Sequence, residues 1–307
     1  MRADQASRTA EYAAAFRALE NARRPAGARL FEDPFAVQFL GPSLQRIARW
    51  AALPFAGALV RGYVDRRWPG AMTSGIARTR LIDELLLAGV RDGIRQVVIL
   101  GAGFDCRAYR LPELAGCRVV EVDHPATQAR KRERLATLLD TTPDHVSFVA
   151  ADLTRQDLRS VLHMARLERD ERAFVLWEGV THYLGETAVD ATLLALAAAT
   201  APGSRLVFTY LHGGLLDGTV DFDGSRASKE QVAGDGEPWI WGMDPGQMPA
   251  FLAARGHRLL EDTGANEFRA RYWGARGRRM RGFAFYRVAL AENIAGGPVA
   301  QSTSPPA

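Results

Sequence analysis

The stretch of sequence that decides the fold is Val97-Val98-Ile99-Leu100-Gly101-Ala102-Gly103-Phe104-Asp105. Four consecutive apolar residues, three of them β-branched, are typical of a buried β-strand, and the two glycines that follow predict a tight turn leading into a helix. In open α/β folds, ligands bind at the carboxyl ends of parallel strands, where glycine lets the backbone approach them closely. This stretch therefore predicts both a parallel sheet and the place where the sheet binds a ligand.

A carboxylate follows at the end of the next predicted strand. Strand Arg118–Val122 leads into Asp123, which lies 20 residues beyond Gly103. A carboxylate at this place can accept hydrogen bonds from both ribose hydroxyls of an adenosine ligand. The alternative is an ordinary βαβ turn followed by an unrelated acid. The glycine turn and the spaced acid together favour an adenosine cofactor, and both NAD and S-adenosylmethionine meet that description.

Two features favour S-adenosylmethionine over NAD. A dinucleotide fingerprint has a third glycine where this chain has Cys106. A helix predicted over Thr73–Ala88 carries Arg78 and Arg80, which cannot share one helical face, so one of them can point at a ligand carboxylate. The methionine part of S-adenosylmethionine has a carboxylate, whereas NAD has none. The alternative for either arginine is a solvated side chain.

Polar residues also follow the later predicted strands. Asp152, after strand Val146–Ala150, is a candidate acceptor for an adenine amino group or, alternatively, a helix N-cap. Glu178, at the end of the fourth strand, is a candidate partner for the cofactor's amino group. His182 and Tyr183 come next and are candidate substrate-facing groups, with His182 as either a general base or a structural histidine.

Strands that alternate with helices from Arg95 onward predict an α/β fold with a parallel sheet covered on both faces. Two more strands near the end, Arg258–Asp262 and Gly282–Ala289, complete a seven-stranded sheet whose last strand is antiparallel. We expect a helical N-terminal cap over residues 1–72 and a core over residues 73–290.

Three segments in the last third of the chain carry predictions of their own. Residues 212–243 are too long for a simple connection and are expected to form a lid or substrate loop. Within them, Trp239 and Trp241 either line an apolar pocket or pack in the core. The arginine-rich run Arg269–Arg281 is expected at a solvated hairpin tip rather than at an anion-binding rim, and residues 291–307 are expected to be a disordered tail.

Composition limits the compartment and the partners. The chain has 307 residues, 47% of them hydrophobic, which is enough for one sizeable core. Its two cysteines, Cys106 and Cys117, form neither a disulfide framework nor a zinc motif, so we expect no metal and a cytoplasmic location. Residues 1–24 lack the apolar stretch of a secretory leader, and the longest apolar runs fall short of the ~20 residues that span a bilayer. A net charge of +4 is too small to indicate nucleic acid, and we expect no membrane partner.

With these residues in place, the sequence resembles the leucine carboxyl methyltransferase-like family of class I S-adenosylmethionine enzymes. That family includes protein-phosphatase carboxyl methyltransferases and bacterial O-methyltransferases that act on polyketides and other small molecules. The resemblance covers about Thr73 to Ala289, and it rests on Arg-Thr-Arg at 78–80, Leu-Gly-Ala-Gly-Phe-Asp at 100–105, Glu-Val-Asp-His-Pro at 121–125, Ala-Asp-Leu at 151–153, Trp-Glu-Gly-Val-Thr-His-Tyr-Leu at 177–184, and the Glu-Pro-Trp and Phe-Leu-Ala-Ala-Arg-Gly motifs within 237–256.

The resemblance implies a Rossmann-like fold, S-adenosylmethionine as cofactor, and methyl transfer to a carboxylate or hydroxyl of a small molecule. It implies that Arg80, more than Arg78, holds the cofactor carboxylate, and that residues 1–72 cover the substrate site. The other implied cofactor contacts are the turn of Gly101, Ala102 and Gly103 at the methionine part, Asp123 at the ribose, Asp152 and Leu153 at the adenine, and Glu178 near the amino end.

Three other functions remain as alternatives at this point. They are an NAD-dependent oxidoreductase, a protein that binds S-adenosylmethionine without transferring its methyl group, and an arginine-rich enzyme acting on nucleic acid. The oxidoreductase would share the glycine turn and the acid at the ribose. The protein that binds S-adenosylmethionine without transfer would have the same binding residues as a methyltransferase. The third would require binding that weakens steeply with salt.

Overall fold

The computed structural model describes residues 8–22, 26–53, 55–153, 156–234 and 236–295. A seven-stranded sheet forms its centre, in the order β3-β2-β1-β4-β5-β7-β6. Strands β1 to β5 pair in parallel, and β7 lies antiparallel between β5 and β6. The predicted mostly parallel sheet with an inserted antiparallel strand is confirmed. The strands are β1 Gln96–Leu100, β2 Arg118–Asp123, β3 Val146–Ala150, β4 Ala173–Trp177, β5 Arg205–Leu211, β6 His257–Gly264 and β7 Tyr286–Asn293.

Helices fill most of the connections, and none among the described residues is long and apolar enough to cross a membrane. Short 3-10 turns occur as well, including one at Thr181–Tyr183. The helices are α1 Arg8–Asn21, α2 Pro42–Ala51, α3 Ala56–Arg67, α4 Ala71–Arg91, α5 Arg107–Arg110, α6 Pro125–Leu135, α7 Leu158–Met164, α8 Glu186–Ala199, α9 Gly213–Asp217, α10 Ser225–Gly234, α11 Met248–Ala253 and α12 Ala265–Arg278.

Strand β1 shows why the sheet is buried on both faces. Its side chains alternate: Val98 and Leu100 pack in a core with α7, α8 and α11, whereas Val97 and Ile99 pack in a second core with α4 and α12. Burial of each such side chain contributes about 1.5–3 kcal/mol. A strand that is apolar at every position is therefore stable only between two helical layers.

The part of the chain before α4 consists mainly of helices α1 to α3 in the described residues. Helix α1 lies over the glycine turn after β1, because a Cβ added to Gly103 would lie 3.3 Å from the Cβ of Ala10. Arg17 of α1 donates from Nε to Asp33 at 2.8 Å and from Nη2 to the carbonyl oxygen of Phe104. These bonds attach α1 to the segment that follows β1.

The structure corrects the interpretation of Arg269–Arg281 as a solvated hairpin tip. Most of this run lies in helix α12, where Ala265 and Phe268 are buried and pack with α4. Arg269 is itself fully buried, and its Nε donates to the carbonyl oxygen of Ala265. The apolar residues that place this helix against α4 precede the arginines, so the charged run by itself does not indicate a helix.

Residues 212–243, expected to form a lid or substrate loop, contain the helices α9 and α10. One boundary differs from the expected one. Strand β7 continues to Asn293, so the tail does not begin at Ala291. The Nδ2 of Asn293 donates to the carbonyl oxygens of Ala197 and Thr200 at 3.0 and 2.8 Å, which fixes the end of the strand against α8. The rest of the expected tail, from residue 296 onward, lies outside the described residues.

Candidate functional site

The turn after β1 requires glycine. Gly101 has φ +64° and Gly103 has φ +46°, values in the left-handed region that side chains other than glycine rarely adopt. A Cβ at Gly101 would lie 2.4 Å from Cγ2 of Val180, which is too close for any side chain. Ala102, between the two glycines, is buried, and its N–H donates to the carbonyl oxygen of Val122 at 3.1 Å. The turn is thus a bare backbone surface fixed to the end of β2.

The carboxylate of Asp123 lies against this turn. Its Oδ2 accepts a hydrogen bond from the backbone N–H of Gly103 at 2.6 Å, and its Oδ1 accepts one from His124 at 2.7 Å. Burial raises the pKa of Asp123, although the two N–H donors oppose that effect. Gly103 of the glycine turn and Asp123, which lies 20 residues further on and was predicted to be part of the same site, are therefore in direct contact.

Glu178 is held between two arginines just beyond β4. Its Oε1 accepts from Nε of Arg78 at 2.7 Å, and its Oε2 accepts from Nη1 of Arg107 at 2.8 Å. Burial by itself raises the pKa of Glu178, but the charges of Arg107 and Arg78 outweigh it and the pKa lies below its usual value. An ionised carboxylate and a guanidinium are therefore adjacent at the carboxyl edge of the sheet.

The structure brings Arg78, not Arg80, to this edge. Arg80 donates from Nε to Glu84 at 2.8 Å and from Nη1 to the carbonyl oxygen of Leu30 at 2.9 Å. Residues two positions apart on an α-helix point about 200° apart, so only one of the two arginines of α4 can face Glu178. The expectation that Arg80, more than Arg78, holds a cofactor carboxylate is therefore not supported.

Arg107 is a site residue that the sequence analysis missed. It donates from Nε to Asp83 at 2.7 Å and from Nη1 to both Asp105 and Glu178. Burial by itself raises the pKa of Asp105, but the charges of Arg107, Lys131 and Arg17 outweigh it and lower the pKa to about 2. Arg107 comes two residues after the quoted stretch that ends at Asp105, yet no sequence spacing showed that α5 would turn it back toward β4.

His182 and Tyr183 lie in the 3-10 turn that follows β4. His182 is 2% exposed, and burial together with the charge of Arg78 lowers its pKa to about 3, so the ring is neutral at pH 7. Among the described residues its Nδ1 has no hydrogen-bond partner. Tyr183 donates to Oγ1 of Thr9 on α1 at 3.3 Å, and burial raises its pKa. Tyr183 thus joins the turn after β4 to α1, and the centroid of the neutral His182 ring lies 4.3 Å from that of Tyr183.

Aromatic rings surround His182. The centroid of Tyr286 lies 5.6 Å from that of His182, and the guanidinium of Arg78 lies 4.7 Å from the centroid of Tyr286. The two tryptophans differ: Trp239 lies 6.1 Å from His182, whereas Trp241 is buried in the core against Phe251. The core interpretation is therefore correct for Trp241. The pocket interpretation stays a prediction for Trp239, which also packs against the buried Phe285 and Tyr286.

Asp152 and Leu153 follow β3 and are half-buried. The backbone N–H of Asp152 donates to Oε1 of Gln156 at 2.8 Å. The residue that caps α7 is Asp157, whose Oδ2 accepts from the N–H of Ser160 at 3.2 Å. The interpretation of Asp152 as the helix N-cap is therefore wrong, and its position at the end of β3 leaves it beside the same sheet edge as Asp123.

Comparison with known proteins now identifies the family. The family model for leucine carboxyl methyltransferase matches residues 10–197, more than half of the chain. The chain belongs to the leucine carboxyl methyltransferase family. Within these residues lie the glycine turn, Asp123, Asp152, Glu178, His182 and both arginines of α4. The resemblance inferred from the motifs is confirmed.

Curated relatives support the same family. A provisionally named S-adenosyl-L-methionine-dependent methyltransferase of Mycolicibacterium gilvum is 35% identical over 207 residues, which are 64% of this chain and 63% of that protein. A methyltransferase of the same description from Frankia alni is 38% identical over 198 residues, which are 63% of this chain and 65% of that protein. The matches to these two relatives thus span less than two thirds of their length.

Two solved structures share the fold. A DUF574 family protein from Streptomyces avermitilis has a TM-score of 0.58 at 16% identity, covering 87% of this chain and 97% of its own. A provisionally assigned methyltransferase from Thermobifida fusca has a TM-score of 0.56 at 19% identity, covering 87% and 94%. Membership of the leucine carboxyl methyltransferase family, which the family model shows, argues against the oxidoreductase alternative.

Proposed function

We propose that this member of the leucine carboxyl methyltransferase family is an S-adenosylmethionine-dependent O-methyltransferase that acts on a carboxylate or hydroxyl group of a small molecule. The observation that carries the proposal is the grouping of Asp123, Glu178 and Arg78 around a glycine turn that excludes any side chain. A ligand with a ribose diol at one end and a zwitterionic amino acid at the other needs this combination of charges.

The same residues fit the parts of the cofactor in turn. Asp123 would hold the ribose hydroxyls, and the backbone of Gly101, Ala102 and Gly103 would lie along the methionine part. Arg78 would bind the carboxylate and Glu178 the ammonium group. Asp152 and Leu153, at the end of β3, would contact the adenine. When bound, S-adenosylmethionine supplies a methyl group on a sulfonium, which is already activated for transfer.

The protein's own contribution is to orient the acceptor and to exclude water. The rings of Trp239 and Tyr286 next to His182 form an apolar wall suited to this task. A carboxylate acceptor is ionised at neutral pH and needs no base. A phenolic acceptor, with a pKa near ~10, would benefit from a base, and the candidate is neutral His182, whose Nδ1 has no hydrogen-bond partner among the described residues. Tyr183, bonded to Thr9, would help to close α1 over the acceptor.

The finer parts of the proposal concern the cellular context. We propose a small-molecule acceptor of secondary metabolism and a cytoplasmic location. Cys106 and Cys117 are both free and buried, as is usual for cysteines in a reducing compartment. Helices α1 to α3 would cover the acceptor site, and residues 212–243 would contribute the wall through Trp239.

The cofactor is tested by calorimetry on the full chain, titrated separately with S-adenosylhomocysteine and with NAD. We expect binding of S-adenosylhomocysteine and none of NAD. Transfer of a labelled methyl group is then measured on matched aromatic acceptors, one with a carboxylate and one with a phenol. Cofactor binding without transfer to any acceptor would favour the alternative of a protein that binds S-adenosylmethionine without transferring its methyl group.

The base is tested with His182→Gln. We expect slower transfer to the phenol, most at the lower pH values where the phenol is protonated, and unchanged binding of S-adenosylhomocysteine. His257→Gln is the matched control, because His257 is also buried with a lowered pKa but lies at the start of β6 and bonds to Leu193. Equal rates for wild type and His182→Gln on the phenol would refute the role of His182.

A further inference from the structure

Helices α2 and α3 form a hairpin that exposes large apolar side chains. Such residues are common singly on protein surfaces, but a contiguous group of them marks an interaction site. In the described part of the chain twelve large hydrophobic residues are exposed, and half of them fall between positions 47 and 63, with exposed fractions from 41% to 90%. These six are Ile47, Trp50, Leu53, Phe55, Leu59 and Tyr63.

The packing of the hairpin explains why these side chains stay outside. Leu59 and Tyr63 are four residues apart, so they share one face of α3, and Phe55 precedes them as the N-cap residue of the helix. Val60 and Val64, on the adjoining face of that helix, pack against the core. A Cβ on Gly57 would lie 2.4 Å from the carbonyl oxygen of Ala51, so the two helices are already in close contact there. The exposed face is thus the outer surface of a closely packed hairpin.

Phe55 projects furthest from the hairpin. It is 90% exposed, and its backbone has φ +65°, a value that a bulky residue rarely adopts. Leu53, just before the tip, is also exposed. An aromatic ring held in water at the end of a hairpin is suited to enter an apolar phase.

The hairpin is also strongly basic. Residues 42–67 contain five arginines and one aspartate, a net charge of +4 that equals the net charge of the whole chain. The remaining residues are therefore balanced, and the excess charge is concentrated here. Among the described residues Arg46, Arg49 and Arg66 form no ion pair, and all three are exposed.

We propose that the α2–α3 hairpin docks this protein on the surface of an anionic phospholipid bilayer. Helices that combine exposed Trp, Phe and Leu with arginine lie in the headgroup region, the apolar residues reaching the acyl chains and the arginines binding lipid phosphates. Association of two copies through the same face would place +4 against +4. Charge complementarity therefore favours an anionic partner over a second copy.

This proposal changes one expectation from the sequence. No membrane partner was expected because the apolar runs are too short to span a bilayer, and the structure contains no spanning helix among its described residues. Docking in the interface needs no spanning helix, only an exposed apolar face flanked by arginines. Which side chains of α2 and α3 are exposed depends on how the hairpin packs against the rest of the chain.

The test is flotation of the full chain with vesicles of phosphatidylcholine and with vesicles of phosphatidylcholine mixed with phosphatidylserine. We expect binding only to the vesicles that contain phosphatidylserine, weakening as salt is added. Arg46→Gln/Arg49→Gln should weaken this binding by roughly 25-fold. Phe55→Ser/Leu59→Ser should also weaken it by at least about tenfold.

Matched controls replace residues of the same type elsewhere. Leu194→Ser/Leu260→Ser removes two exposed leucines on α8 and β6, and Arg159→Gln/Arg169→Gln removes two exposed arginines on α7 and just after it. Both control variants should bind as wild type does. Circular dichroism melting confirms that each variant is folded, and the arginine and apolar variants test the hairpin independently of each other.

Several results would overturn the proposal. They are no binding to phosphatidylserine vesicles, equal binding to both vesicle types, or equal losses in the hairpin and control variants. Size-exclusion chromatography adds one more: a dimer of the wild type that Phe55→Ser/Leu59→Ser converts to a monomer would assign the face to a second copy.

Discussion

Arg78 and Arg80 lie two residues apart on α4, and replacing each by glutamine gives a matched test of the proposed cofactor site. Arg78 is 12% exposed and bonds to Glu178 at 2.7 Å, whereas Arg80 is 43% exposed and pairs with Glu84. Arg78→Gln would remove a charge-assisted hydrogen bond to the cofactor carboxylate, a loss of about 2–3 kcal/mol. That corresponds to roughly 30- to 150-fold weaker binding of S-adenosylhomocysteine.

Arg80→Gln removes a partly exposed i,i+4 ion pair, worth about 0.3–0.5 kcal/mol of stability, and the hydrogen bond to the carbonyl oxygen of Leu30, worth about 0.5–1.5 kcal/mol. We expect its affinity for S-adenosylhomocysteine to stay within about twofold of the wild type. Isothermal titration calorimetry at one pH and salt concentration measures both variants, and urea unfolding checks that they remain folded. If Arg80→Gln loses the affinity while Arg78→Gln keeps it, the assignment of Arg78 is wrong.

Three further predictions concern stability, each measured by urea unfolding. Gly101→Ala should lower the free energy of unfolding by about 2–5 kcal/mol, because of the positive φ and the 2.4 Å approach of the new Cβ to Val180. Gly116→Ala, whose new Cβ has no atom within 4 Å, should be neutral or slightly stabilising. Equal losses in the two variants would contradict the strain at Gly101. Because the pKa of His182 is lowered from 6.5 to about 3, the unfolded chain binds the proton first as the pH falls. Between pH 7 and pH 5 the free energy of unfolding of the wild type should therefore fall by about 2 kcal/mol more than that of His182→Gln. Parallel curves of unfolding free energy against pH for the two proteins would show that the pKa of His182 is not lowered. The pKa of Asp105 is lowered from 3.8 to about 2, so its charge stabilises the protein above about pH 4, and this contribution disappears as the pH falls through 2; Asp105→Asn should cost about 2 kcal/mol at neutral pH, with a cost that shrinks in acid.

The sheet and the position of its ligand edge could be predicted from the sequence. Strands β1 and β3 have the predicted bounds, Gln96–Leu100 and Val146–Ala150, because short runs rich in β-branched and aromatic or aliphatic residues are visible locally. Strand β1 is buried at every position, whereas β3, at the edge of the sheet, is partly exposed. The contact between Asp123 and the glycine turn was also predictable, since adjacent parallel strands end at the same edge. These features depend on residues close together in the chain, together with the general topology of α/β folds.

Other features depended on the tertiary structure. The choice between Arg78 and Arg80 depends on how α4 is rotated against the sheet, and the helix in place of a hairpin at Ala265–Arg278 depends on contacts with α4. The environment of Arg107 joins α4, α5 and the end of β4, which are far apart in sequence. Local patterns state which residues are apolar or charged, but the partner of each side chain is decided by packing between distant segments, which a single sequence does not display.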